Sequence, residues 1–159
     1  MHEPIGYFLT WTVYGSYLQG DSRWWRSKQF GHTPPKPLLL NWHKKRLRHK
    51  VLLLGIAHRQ AVEEEIQRLC TYRGWNLSAV NARSNHAHVV VSAESHPGNQ
   101  IRDQLKANCT RVLRQRFPLF RDRPVWTSGG DWRTIFSEAD LDYAIEYVRE
   151  AQDRMGEKE

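Results

Sequence analysis

The stretch "RSNHAHVVVSAE" constrains the fold most, because its side chains alternate with a period of two. Odd positions carry Ala87, Val89, Val91 and Ala93, with no polar interruption. Even positions carry His86, His88, Val90 and Ser92. In a strand, residues i and i+2 share a face, so the odd set is the one to bury under helices and the histidines open onto the other face. Two neighbouring imidazoles can hold one divalent metal, each giving one ring nitrogen. HxH pairs also occur by chance, and an isolated pair is more often structural.

Around this strand the chain alternates elements. "IGYFLTWTVYGSY" is aromatic and β-branched and predicts a strand ending near Gly15. Gly and Pro in "FGHTPPKP" break any regular pattern from Leu18 to about Leu40, a long basic loop. "NWHKKRLRHKVLLLG" reads as either a short basic helix or an extended arm. Ala61, Val62, Ile66, Leu69 and Cys70 recur at helical spacing before a stop at Gly74. "WNLSAVNAR" sets Trp75, Leu77 and Ala79 on one face of a strand that forms a hairpin with the histidine strand. A second helix carries Ile101, Leu105, Val112 and Leu113, with Asn99 as its expected N-cap. Short strands around Gly129-Gly130 follow, then a helix opened by Ser137 with Asp140 three residues on. The order β-α-β-β-α-β-α predicts an α+β fold, an antiparallel sheet with helices packed on one face.

A chain of 159 residues is expected to form one domain with a true core. No run approaches the roughly 20 apolar residues that span a bilayer, so no membrane partner is expected. The N-terminal residues lack a secretory pattern, and Cys70 and Cys109 stand isolated, which predicts a cytoplasmic protein. Charge is clustered within the net +7. Nine Lys or Arg and no Asp or Glu lie between Arg23 and Lys50, making a basic aromatic loop of about 18–50. Ile101 to Arg123 holds seven basic residues against two acidic ones, while the last 23 residues hold eight acidic against three basic. Such clustering is the footprint of a polyanion-binding surface, or simply of a solvated one. "DSRWWRSKQF" sets Trp24 and Trp25 between Arg23 and Arg26, a pairing suited to stacking unpaired bases, though the tryptophans could also serve a core or interface.

The last helix, "SEADLDYAIEYVREAQDRMG", has the apolar stripe Leu141, Ala144, Ile145, Val148 and Met155. Tyr147 falls at the flank of that stripe and Tyr143 nearer the solvent side. Gln152 falls close to its middle, where a polar residue needs a partner. A tyrosine beside a metal can act as a nucleophile on phosphorus and form a covalent protein–DNA ester.

At these residues the sequence resembles the single-tyrosine HUH transposases, in particular those associated with repetitive extragenic palindromes. The resemblance runs through "YFLTWTVYGSYLQGD", "YRGWNLSAVNARSNHAHVVVSAE", "LKANCTRVLR", "VWTSGGDWRTIF" and "AIEYVREAQ", nearly the whole chain. In that family two histidines flank a hydrophobic residue after an Asn; Ala87 is smaller than usual there. The resemblance implies a ferredoxin-like fold with the metal and tyrosine site on the sheet face away from the helices.

It also implies roles. His86 and His88 match the metal-binding pair and Tyr147 the nucleophile, with Tyr143 as competitor. Relatives place a Gln or Asn one helical turn after the tyrosine, where this chain has Ala151. Gln152, the expected third ligand, is roughly 140° round an α-helix from Tyr147. A distorted helix would bring it back, and Glu150 is the alternative ligand. The implied activity is that of an endonuclease and strand transferase. It would use Mg or Mn and cut single-stranded, hairpin-forming DNA through a 5′-phosphotyrosine intermediate. Candidate DNA contacts are Arg23, Trp24, Trp25 and Arg26, the run Lys44, Lys45, Arg46 and Arg48, and Lys106, Arg111 and Arg114. Relatives include monomers and homodimers. The competing readings are a domesticated hairpin-binding protein that does not cut, and a metal-dependent RNA nuclease that would survive Tyr147→Phe.

Overall fold

The structure is a computed structural model that describes residues 3–16 and 47–150, and the backbone of 25–27, 31–33 and 151. In chain order the elements are β1 (Gly6–Thr12), β2 (Trp25–Ser27), β3 (Gly31–Thr33), α1 (Ile56–Arg73), β4 (Asn76–Ala82), β5 (His86–Ser92), α2 (Gly98–Arg116), β6 (Asp131–Ile135) and α3 (Glu138–Glu146). A 3-10 turn, Pro118–Phe120, follows α2 and a π-helical turn, Tyr147–Ala151, continues α3. The main sheet has the order β4-β5-β1-β6 with every pair antiparallel. Leaving aside the small β2–β3 ribbon, this is the βαββαβ arrangement of ferredoxin-like folds.

Alternation along β1 and β5 divides the core in two. Leu9, Trp11, Ala87, Val89 and Val91 face α1 and α2 in one large cluster. From α1 this layer receives Ala61, Val62, Ile66 and Leu69; from α2 it receives Ile101, Leu105, Cys109 and Leu113 at an unbroken i, i+4 spacing. The opposite face holds a smaller cluster of Val90, Ile135, Ala144 and Val148, with Phe8, Leu141 and Ile145 against it. So α1 and α2 cover one face of the sheet and α3 crosses to the other. Of the expected α3 stripe, Ala144 and Val148 are buried and Leu141 and Ile145 half-buried.

Three local expectations are corrected and one open reading is narrowed. The 18–40 segment contains the β2–β3 hairpin, in register Trp25↔Thr33 to Ser27↔Gly31; strands of three residues are too short for periodicity to reveal. The N-cap of α2 is Pro97, not Asn99. Gly98 lets the start of the helix pack closely, because a Cβ there would lie 2.8 Å from the Tyr7 ring and 2.9 Å from Trp132. Trp75, Leu77 and Ala79 do not share a face: Leu77 pairs with Val91 but Ala79 pairs with Val90, leaving Ser78 as an extra residue. Ala79 therefore sits with the smaller cluster while Trp75 and Leu77 join the larger. Lastly, residues 47–50 form no helix.

The expected cap of α3 is found. The Ser137 hydroxyl accepts from the Asp140 N–H at 3.2 Å and caps α3. Gly130, at φ 127°, brings the loop before β6 so close to β1 that a Cβ would lie 2.7 Å from the Thr10 carbonyl oxygen. Among the described residues no helix is long and apolar enough to cross a membrane.

Candidate functional site

Sheet register assembles the site. Thr10 on β1 and Asn81 on β4 flank His88, and Thr12 lies opposite His86, all on the face that α3 partly covers. The His86 and His88 rings stand edge to face with centroids 4.4 Å apart. His86 is half-buried and His88 only 6% exposed. Each ring is oriented through Nδ1. The Asn85 Oδ1 lies 2.5 Å from His86 Nδ1. A carboxamide oxygen only accepts, so His86 donates from Nδ1 and turns Nε2 away from Asn85. His88 Nδ1 lies 2.8 Å from the Thr10 hydroxyl, a group that can accept from the ring or donate to it. Metal-binding histidines are held in this way, by a hydrogen bond at the nitrogen away from the metal.

The end of α3 brings Tyr147 to this pair. Its half-buried ring is 5.7 Å from His88 and 5.8 Å from Phe8, and Phe8 is itself 5.5 Å from His88. Tyr143 is 72% exposed and turned to solvent. Of the two candidate tyrosines, Tyr147 is the one beside the histidines.

The other named candidates distribute unevenly. Arg23, Trp24, Lys44, Lys45, Arg46, Gln152 and the side chains of Trp25 and Arg26 lie outside the described residues. Glu150 is exposed, and among the described residues no group of three or more His, Cys, Asp or Glu could hold a metal. The donor set legible here is the two imidazoles. Arg48 is exposed, and its backbone N–H donates to the Tyr14 hydroxyl at 3.2 Å.

Lys106, Arg111 and Arg114 belong to a different surface, on the α2 side of the sheet. A groove of about 570 Å³ runs between α2 and the 124–129 loop, lined by Arg102, Lys106 and Arg114. A second of about 480 Å³, lined by Arg111, Arg114 and Arg121, adjoins it through Ala107, Thr110 and Arg114. Several of these cations also shape the groove. Lys106 Nζ donates to the Thr127 and Gly129 carbonyls at 2.9 and 2.5 Å, and Arg102 to the Gly130 carbonyl at 2.7 Å. Arg114 Nη2 donates to the Arg123 carbonyl at 2.8 Å. Burial, then the charge of Arg102, lowers the Lys106 pKa from its usual value. Arg111 reaches the buried Glu65 at 3.5 Å.

Thr10, Asn81, Arg102 and Arg121 were missed by sequence reasoning. Thr10 left a trace: Phe8, Thr10 and Thr12 alternate with Tyr7, Leu9 and Trp11. Asn81 left none, because the extra residue at Ser78 reverses the alternation before it.

Comparisons with known proteins agree with this architecture. A solved candidate transposase from Deinococcus radiodurans R1 superposes with TM-score 0.51 at 14% identity, over 93% of this chain and 91% of that one. The REP-associated tyrosine transposase, solved bound to a REP hairpin, superposes with TM-score 0.56 at 12% identity, over 99% of this chain and 73% of that one. At these identities the likeness is one of fold. No curated protein matches the sequence. The family model described as "Transposase IS200 like" matches residues 42–151, from ahead of α1 through Tyr147, and the chain belongs to the IS200-like transposase family.

Proposed function

We propose that this transposase-family chain is a metal-dependent endonuclease and strand transferase acting on single-stranded DNA that folds into hairpins. Tyr147 is the nucleophile. The observation that carries the reading is the placement of the Tyr147 ring 5.7 Å from His88, within the same cluster as the 4.4 Å histidine pair. The phenolic oxygen attacks the scissile phosphorus as its proton leaves. A P–O bond forms to Tyr147, the P–O3′ bond breaks, and the departing oxygen takes up a proton to become a 3′-hydroxyl. The 5′-phosphotyrosine keeps the ester count constant, so a 3′-hydroxyl can later reverse the step and join strands without ATP. Tyr147 reaches the histidines of its own chain, which supports a tyrosine acting within its own subunit, whether the protein works as a monomer or a homodimer.

His86 and His88 would hold a divalent ion through Nε2, and Mg or Mn there would polarise the phosphate oxygens and offset the charge that builds on them. Gln152 is the proposed third ligand. In a π turn the backbone closes from i to i+5, so the fifth residue takes the place that an α-helix gives to the fourth. The turn begins at Tyr147, and the fifth residue after it is Gln152. The helix distortion needed to offset Ala151 is thus supported on the near side of that residue.

The DNA partner is supported by family membership and by the hairpin bound to the REP-associated relative. Arg102, Lys106, Arg111, Arg114 and Arg121 offer a cationic groove for phosphates on the far face of the sheet. Buried free thiols at Cys70 and Cys109 suit a cytoplasmic location.

The test is a denaturing gel for a covalent adduct with pooled, labelled hairpin DNA and Mn or Mg. An adduct is expected for the native chain and is expected to vanish in Tyr147→Phe and His86→Ala. An adduct surviving in Tyr147→Phe would move the nucleophile elsewhere. Tight hairpin binding with no adduct in the native chain would leave a binding protein.

A further inference from the structure

Two irregularities meet on the histidine face of the sheet. One is the extra residue Ser78 in β4, where pairing shifts from Leu77↔Val91 to Ala79↔Val90. The other is the π-helical turn Tyr147–Ala151. Two hydrogen bonds join them. Asn81 Nδ2 donates to the Val148 carbonyl at 2.9 Å, and Arg149 Nη2 donates to the carbonyl of Ser78 itself at 3.2 Å. Bulges beside sites re-aim side chains, and the effect here can be read from the register. With regular pairing beyond Leu77, Val80 would stand opposite His88 and Asn81 opposite Ala87, on the face covered by α1 and α2. With the bulge, Asn81 stands opposite His88.

The carbonyl that Asn81 takes belongs to the residue after the tyrosine. In an uninterrupted α-helix it would accept from the N–H four residues on, and a side chain inserted into that ladder is a known cause of local distortion. Val148 is fully buried, with its side chain among Val90 and Ala144. Its peptide is therefore fixed from two directions, by packing and by Asn81. Tyr147 immediately precedes Val148 in the same turn.

We propose that Asn81 is a positioning residue for Tyr147, holding the π turn through the Val148 carbonyl so that the phenol stays beside His88. The inference rests on the reading of Tyr147 as nucleophile, but its geometry can be tested separately. Asn81→Asp keeps the shape and loses the donor; Asn81→Ala loses the donor without adding charge and serves if the first does not fold. The measurements are the nuclear Overhauser contact between the Tyr147 ring and the His88 imidazole, the melting temperature, and kcat and KM on a cleavable hairpin. In a variant that melts within a few degrees of the native protein, the ring-to-ring signal should disappear. The kcat should fall at least tenfold, with KM within about twofold. A folded variant that keeps the signal, or keeps its kcat, overturns the proposal. If the native chain forms no adduct, the functional reading fails, and the ring-to-ring signal alone then decides the role of Asn81.

Discussion

His88 is held from one side by the Thr10 hydroxyl at 2.8 Å and hemmed in on the other by Phe8 and Tyr147. A ring fixed at Nδ1 presents Nε2 in one direction, which is what a metal ligand needs. Thr10→Val keeps the β-branched shape and deletes the partner. Removing a bond of this kind typically costs 10–100-fold in metal affinity, so a drop of that order in Mn binding is expected by calorimetry, with the melting temperature little changed. Affinity within twofold of the native value would show that packing alone orients the ring. At this scale the sequence exposes the histidines and hides their supports. A strand of period two announces His86 and His88 from their own neighbours, whereas the bond from Thr10 to His88 spans 78 positions. Asn81 is less legible still, because its face depends on an extra residue three positions earlier.

Elements follow their patterns wherever one face is buried. The stripes of α1 and α2 were legible because each presents apolar residues at regular spacing to the same sheet face. The turn after α3 was not, since "AIEYVREA" reads as ordinary helix, whereas the π turn is joined to β4 by hydrogen bonds between residues 67 and 71 positions apart. Glu65 is another feature that a stripe does not predict. It is buried in α1 and meets Arg68 at 2.6 Å, Asn108 at 3.2 Å and Arg111 at 3.5 Å, joining the two helices. The hydrogen bonds from Arg68, chiefly, hold its carboxyl below the usual value of 4.5 against the opposing effect of burial. The folded state therefore binds the Glu65 proton less readily than the unfolded chain. This contribution is complete above the ordinary carboxylate pKa and lost as pH falls through the lower, folded one. Glu65→Gln should cost about 1–3 kcal/mol near neutral pH, measured by urea denaturation. The difference from the native protein should shrink as pH falls below 4.5. A difference that stays constant down to about pH 3, below the ordinary carboxylate range, would mean that the charge contributes nothing and only the shape of the side chain matters.

Across the whole molecule the two candidate surfaces lie on opposite sides of one sheet. The histidines and Tyr147 occupy the face under α3, and the cationic groove runs along α2 on the other. The clustering of charge from Ile101 to Arg123 was legible as a run of basic residues. Its division of labour was not, because that depends on which cations meet loop carbonyls. Arg102, Lys106 and Arg114 brace the loop, whereas Arg111 and Arg121 stand at the exposed rim, Arg111 beside Glu65 at 3.5 Å and Arg121 donating to the Arg114 carbonyl at 3.1 Å. A cation that neutralises a phosphate releases a counterion and steepens the dependence of log affinity on log salt, by about 0.9 on duplex DNA or about 0.7 on a single strand. The double change Arg111→Gln with Arg121→Gln should therefore reduce the slope by roughly 1.8 if the groove grips a hairpin stem, or roughly 1.4 if it grips an unpaired strand. Fluorescence anisotropy with a labelled hairpin across a salt series reads this directly. Because the rim is separated from Tyr147 by the sheet, cleavage at saturating DNA should stay near the native rate. An unchanged slope would remove the α2 groove from the binding surface and leave the basic residues of 18–50 to hold the phosphates. A slope that falls together with the saturated rate would mean that the far face also helps to place the scissile strand.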